Sequence, residues 1–98
     1  MNRYHINIKL TAENDLENRY VQIAEDSPQN ALNWYLSIVG AIEKLDTMAK
    51  RCPIASENED IRLGIRHLII GSYRVLYKID GDMVNVLHVR HSAKKRVL

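Results

Sequence analysis

Fourteen Lys/Arg and four His in this 98-residue chain are the side chains suited to phosphate or proton chemistry, and most of them gather toward one end. Arg66 and His67, Arg74, Lys78, and His88-Val89-Arg90-His91 stand in three strand-like runs, followed by Lys94, Lys95 and Arg96. An arginine can hold a phosphate through two parallel hydrogen bonds, and a histidine titrates close enough to neutrality to move a proton. Cleavage of RNA by its own 2′-hydroxyl needs a base, an acid and cationic stabilisation of the phosphorane. Arg74, His91, Lys78 and His67 would supply these if one sheet face held them all. The plainer reading is that they solvate an open face, and spacing alone favours it. The basic cluster Arg90, Lys94, Lys95 and Arg96 suits phosphate or an acidic partner peptide. No aromatic residues interleave it, so base stacking is not encoded. His88 and His91 point to opposite faces of a strand, so a two-imidazole metal site is not expected. Gly-rich phosphate loops, HExxH, GxSxG and Cys/His metal patterns are absent from the sequence, and no cofactor is expected.

The elements that carry these residues read as strands over Ile61–Ile70, Tyr73–Ile79 and Met83–His91, rich in Val, Ile, Leu and Tyr. Gly71-Ser72 suits a two-residue type II′ loop, and Gly81 supplies the positive φ that the second reversal needs. Two-residue loops set Ile70 opposite Tyr73, Ile69 opposite Arg74 and Asp80 opposite Met83. Regular pairing then sets Arg74 opposite Val89 and Tyr73 opposite Arg90. One face carries Leu68, Ile70, Tyr73, Val75, Tyr77, Ile79, Val84 and Val86, with Arg66, His88 and Arg90 at its margins. The other carries Ile65, His67, Ile69, Arg74, Leu76, Lys78, Asn85, Leu87, Val89 and His91, and it is expected to lie partly open.

Ahead of these strands, Tyr4–Leu10 alternates as a half-buried edge strand. Thr11 is placed to cap a helix over 12–26, with Glu13, Asp15 and Glu17 favouring its dipole. Ser27 caps a second helix, with Pro28 at its first position. That helix is expected to run from 28 to 51, with the stripe Ala31, Tyr35, Ile38, Ile42, Leu45 and Ala49 facing the core. Trp34 borders this stripe and is expected to bury its ring. Residues 53–60 read as a crossing loop. The order β-α-α-β-β-β makes an α+β fold, a helical hairpin on one face of an antiparallel sheet, as a single domain over 1–98.

Hydrophobic content of 46% and charged content of 27% are ordinary for one small globular domain. Residues 1–61 hold six Lys/Arg against ten Asp/Glu, whereas 62–98 hold eight against two, which points the C-terminal part toward an acidic or polyanionic partner. No apolar run reaches the roughly 18 residues of a membrane span, and MNRYHINIKL lacks the features of a signal peptide. A cytoplasmic location is the expectation, and the single Cys52 fits a reducing compartment.

Five segments, in their order and spacing, resemble the RelE/ParE superfamily of toxins from bacterial type II toxin–antitoxin modules, also called plasmid stabilisation proteins. They are Ala24-Glu25-Asp26-Ser27-Pro28 followed by Ala31, Ala41-Ile42-Glu43-Lys44-Leu45 before Pro53, and Arg66-His67-Leu68. Gly71-Ser72-Tyr73-Arg74-Val75-Leu76-Tyr77 and Val86-Leu87-His88-Val89-Arg90-His91 complete the set, which spans nearly the whole chain. The resemblance implies a small toxin neutralised by a cognate antitoxin, as a homodimer or a toxin–antitoxin hetero-oligomer. RelE-like members cut mRNA on the ribosome, and ParE-like members poison DNA gyrase. Arg74 matches a strand arginine of the ribonuclease branch, which makes Arg74 and His91 its catalytic candidates. The C-terminal Tyr of that branch is missing, because Ser92-Ala93-Lys94-Lys95 follow His91. The helical hairpin, the GSYR turn and the basic end look more like the ParE branch. Arg66, His67, Lys78, Arg90, Lys94, Lys95 and Arg96 are then expected to touch the target or the antitoxin. A degenerate member that only binds its antitoxin is the third possibility.

Overall fold

The computed structural model describes residues 3–55 and 62–91. Two long helices lie on a four-stranded mixed sheet. The elements are β1 His5–Ile8, α1 Leu10–Asp26, α2 Pro28–Glu43, the short α3 Leu45–Met48 with a 3-10 turn at Ala49–Arg51, β2 Arg66–Ile70, β3 Tyr73–Asp80 and β4 Met83–His91. The sheet order is β1-β4-β3-β2. β1 is an edge strand as expected, but it runs parallel to β4, so the sheet is not purely antiparallel. Both hairpin loops have two residues, with Gly71 at φ 56° and Gly81 at φ 62° where a side chain would strain the turn.

The core lies between the hairpin and one sheet face. Ile38, Ile42 and Leu45 from the helices meet Val75, Tyr77, Val84 and Val86 from the sheet, all fully buried. Tyr77 reaches through this layer, and its hydroxyl donates to the Ala49 carbonyl at 2.6 Å. Burial pushes the Tyr77 phenol well above its ordinary pKa.

Several boundaries differ from the sequence expectation, each for a local reason. α1 begins at Leu10, so Thr11 lies inside it and does not cap it. Its hydroxyl donates instead to the Leu87 carbonyl at 2.6 Å. Ser27 does cap α2, accepting from the Asn30 N–H at 3.2 Å. The helix expected over 28–51 breaks at Lys44, whose N–H bonds back to Ala41 at 3.2 Å in a tighter turn. Past the break the Asp46 carbonyl accepts from the Tyr4 N–H at 2.8 Å, which ties this turn to the start of the sheet. β2 starts at Arg66, after Gly64 in a left-handed conformation, and Ile61 lies outside the described residues. Part of the expected crossing loop extends the sheet instead: Ala55 N–H donates to Ile65, His67 N–H donates to Pro53, and Ile54 bridges Arg66.

The largest departure is a β-bulge. The β3–β4 register slips by one between Leu76 and Tyr77, so Leu76 faces His88 while Tyr77 faces Val86. Leu87 is the extra residue. Beyond it every side chain of β4 changes face: Val75 pairs with Val89, Arg74 with Arg90 and Tyr73 with His91. The expected pairings Arg74–Val89 and Tyr73–Arg90 are therefore corrected. The cause is burial. A regular strand would aim His88 and Arg90 at the helices and leave Val89 outside. The bulge brings Val89 into the core at 8% exposure and keeps Arg90 in solvent. Helix α1 holds the arrangement along the free edge of β4, through Thr11 on Leu87 and through Asp15, which accepts the Val89 N–H at 3.0 Å.

Candidate functional site

Among the described residues, the sheet face away from the helices is basic and only partly covered. Its floor is a small apolar cluster of Ala55, Ile65 and Leu76, with Leu87 packed against it. Around this floor, alternation along β2 and β3 places His67, Ile69, Arg74 and Lys78. Arg74 stands directly across from Arg90 in the next strand. Guanidinium groups can hold a carboxylate or a phosphate through paired hydrogen bonds, so this row has the side chains for contact with an acidic group. The Arg74 guanidinium also donates to His67 Nδ1 at 3.3 Å. His88 sits at the bulge, with Nδ1 3.1 Å from Asp15 Oδ2. Lys78 pairs with Asn85 in the same sheet, and Ile69 is 60% exposed beside Arg74.

Not every sequence candidate joins this face. Arg66 turns to the end of the 3-10 turn, donating to the Cys52 carbonyl at 2.6 Å and the Lys50 carbonyl at 3.4 Å. It holds helix to sheet there. His91 lies on the helix side, its ring 4.9 Å from that of Tyr73. Tyr73 also meets the Trp34 ring at 5.3 Å and accepts from Arg19 Nε at 2.6 Å. The expectation that Arg74 and His91 share a face is thus corrected, and the reason is the one-residue bulge. Lys94, Lys95 and Arg96 lie outside the described residues.

A second feature lies on the other side of the molecule. Ile8, Leu16, Tyr20, Leu32, Tyr35 and Val39 line a groove of about 540 Å³ between the helices and the sheet edge, and Glu13 and Glu17 rim it. Tyr20 and Tyr35 meet edge-on across it at 5.9 Å. Leu32, Tyr35 and Leu36 are more than a third exposed, so Tyr35 is less buried than its place in the core stripe suggested. The signal was in the sequence: Leu32, Tyr35, Leu36 and Val39 repeat at i, i+3, i+4 and i+7, a second stripe beside the core-facing one. A helix apolar on two sides has a second surface to cover.

Among the described residues no helix is long and apolar enough to cross a membrane. A sequence model of the ParE toxins of type II toxin–antitoxin systems, parDE, matches residues 6–96. No curated protein matches the chain. Among solved structures, one of the chromosomal ParDE toxin–antitoxin system from P. aeruginosa superposes with a TM-score of 0.77 at 17% identity, covering 91% of this chain and 96% of that one. A chain of the RelBE2 toxin–antitoxin complex from Mycobacterium tuberculosis superposes with a TM-score of 0.61 at 24% identity, covering 91% and 98%. At these identities the two structures establish the shared fold.

Proposed function

We propose, for a chain that belongs to the ParE toxin family of type II toxin–antitoxin systems, that it arrests growth by poisoning DNA gyrase and is held inactive by a cognate antitoxin. The observation that carries this reading is the family match, which runs from residue 6 to residue 96 and so takes in both helices and all of the sheet but His5. The basic face supports it, because Arg74, Lys78 and Arg90 offer cations beside His67 and the exposed Ile69, a mixture that suits a large protein or protein–DNA target. The ribonuclease reading loses its expected pair, since Arg74 and His91 lie on opposite faces.

The antitoxin has two chemically distinct places to bind. An acidic extended segment suits the basic sheet face, and an amphipathic helix with basic flanks suits the apolar groove between Glu13 and Glu17. A chain that folds on binding can reach both and wrap this small domain. Expression in a bacterial host tests the reading. Growth should stop while a reporter plasmid loses negative supercoils, and co-expression of the adjoining antitoxin gene should restore both. Growth arrest with normal plasmid supercoiling would remove gyrase as the target.

A further inference from the structure

We infer that the bare outer edge of β2 is a docking strip for an extended, acidic segment of the gyrase target, which joins the sheet as an added strand. The identity of this partner rests on the gyrase reading above. The edge itself stands on backbone geometry.

The pairing of β2 with β3 decides which backbone groups are spare. Ile70 and Tyr73 flank the two-residue loop, so they exchange both of their ladder bonds, and Leu68 does the same with Val75. His67 and Ile69 alternate with them and turn their N–H and C=O away from β3. His67 shows this phase directly, since its N–H donates outward to the Pro53 carbonyl at 3.1 Å. Residues 53–55 cover the edge only that far, through Ala55 on Ile65 and the bridge from Ile54 to Arg66. Among the described residues nothing pairs with the N–H or C=O of Ile69. Edge strands are commonly blunted by a lysine, a proline or a bulge. Past His67, β2 carries none of these. Among the described large apolar residues only Leu10 is more exposed than Ile69.

The surroundings of this edge suit a strand of one kind. The added residue opposite Ile69 turns toward the basic face, beside the Ile69 side chain, and its two neighbours turn toward the helices. On that side Ala41, Lys44, Leu45, Met48 and Leu68 line a pocket of about 70 Å³, room for one small apolar side chain with Lys44 beside it. Ile54, more than a third exposed, adds apolar surface along the same edge. Lys44, Arg51 and Arg62 are exposed around it, and Arg66 ties residues 50–52 to the end of the strand. Main-chain bonds to Ile69 would hold the added strand, while the pocket and the cations select apolar and acidic side chains. Charge also sorts the occupants. A second copy would bring the same cations to its own edge, and like charges oppose self-pairing. The antitoxin has the groove beside Ile8, at the β1 end of the sheet, with β4 and β3 between. The Ile69 side chain belongs to the basic face already assigned to the target, so a target seated on that face reaches the β2 edge as part of one continuous surface.

The test is amide hydrogen exchange of the native full chain, alone, with purified gyrase and with the cognate antitoxin, quenched and read residue by residue. In the dilute chain alone the Ile69 N–H should exchange about 100-fold faster, or more, than those of Leu68 and Ile70, which the β3 ladder holds. Saturating gyrase should slow it by about tenfold or more. Ile69→Pro removes only the outward N–H, a change that an edge strand tolerates, and should weaken inhibition of supercoiling by about tenfold. A thermal melt checks that it folds. If it does not, Lys44→Glu with Arg62→Glu replaces it, and should weaken inhibition and flatten its salt dependence. The inference is overturned by an Ile69 amide already protected in the dilute chain, by one that gyrase leaves unprotected, or by a folded variant that inhibits as well as the native chain. Protection by the antitoxin and not by gyrase gives the edge to the antitoxin. Protection that grows with the concentration of the chain alone gives it to a second copy, and either result overturns the inference. A native chain that neither binds nor inhibits gyrase removes the gyrase reading along with this one, whereas binding without protection at Ile69 removes only the edge.

Discussion

Val89→Ala separates the bulged strand from a regular one. In the observed register Val89 faces Val75 and is 8% exposed, inside the main core cluster. Truncation removes two buried methyl-sized groups, about 1.6 kcal/mol at roughly 0.8 kcal/mol each. The space left behind sits among the fully buried Val75 and Val86 and collapses only in part, so the total should be about 2–3 kcal/mol. At roughly 4–8 °C per kcal/mol for a domain of this size, Tm should fall by about 8–24 °C. Urea unfolding is the assay, read as a lower midpoint at unchanged slope. Arg90→Ala is the partner measurement, since Arg90 is exposed and its loss should stay within about 0.5 kcal/mol of native. A regular strand predicts the reverse order. A Val89→Ala change within about 0.5 kcal/mol, with Arg90→Ala costing more, would refute the bulge and the face assignments that follow from it.

Tyr77→Phe should destabilise by about 1–3 kcal/mol in the same assay, because the buried Ala49 carbonyl loses the hydroxyl that donates to it. A double change Leu32→Asp and Tyr35→Asp at the exposed groove wall should weaken antitoxin binding at least tenfold in calorimetry, with Tm within a few degrees of native. Unchanged affinity would move the helix-binding site elsewhere. Charge reversal at Arg74 and Arg90 should reduce target inhibition and flatten its salt dependence, while a pair of changes at Arg66 and Lys50 should leave the salt dependence as it is.

Much of this fold can be read directly from residue order. Gly71 and Gly81 set both hairpins, Ser27-Pro28 sets the helix junction, and Val75, Tyr77, Val84 and Val86 share the buried face as their alternation requires. These signals are local, and each involves a few adjacent residues. The mixed sheet was not legible, because the parallel pairing of β1 with β4 joins the two ends of the chain and leaves no local mark. The bulge left a mark of another kind. Val84 and Val86 are two apart, but the next buried valine is Val89, and that odd step is the signature of an extra residue. Reading Gly-turn registers outward without that step placed His91 beside Arg74 and hid His88. Asp15 was visible only as a helix-dipole acid, since its hydrogen bonds to β4 cross 73 and 74 residues of sequence.

The most direct test of the central claim is a supercoiling and cleavage assay with the purified chain, purified gyrase and relaxed plasmid. The account predicts dose-dependent loss of supercoiling with accumulation of linear, gyrase-linked DNA, and relief of both when the cognate antitoxin is added in equimolar amount. Full supercoiling with no linear DNA, at toxin concentrations well above that of the enzyme, would contradict it.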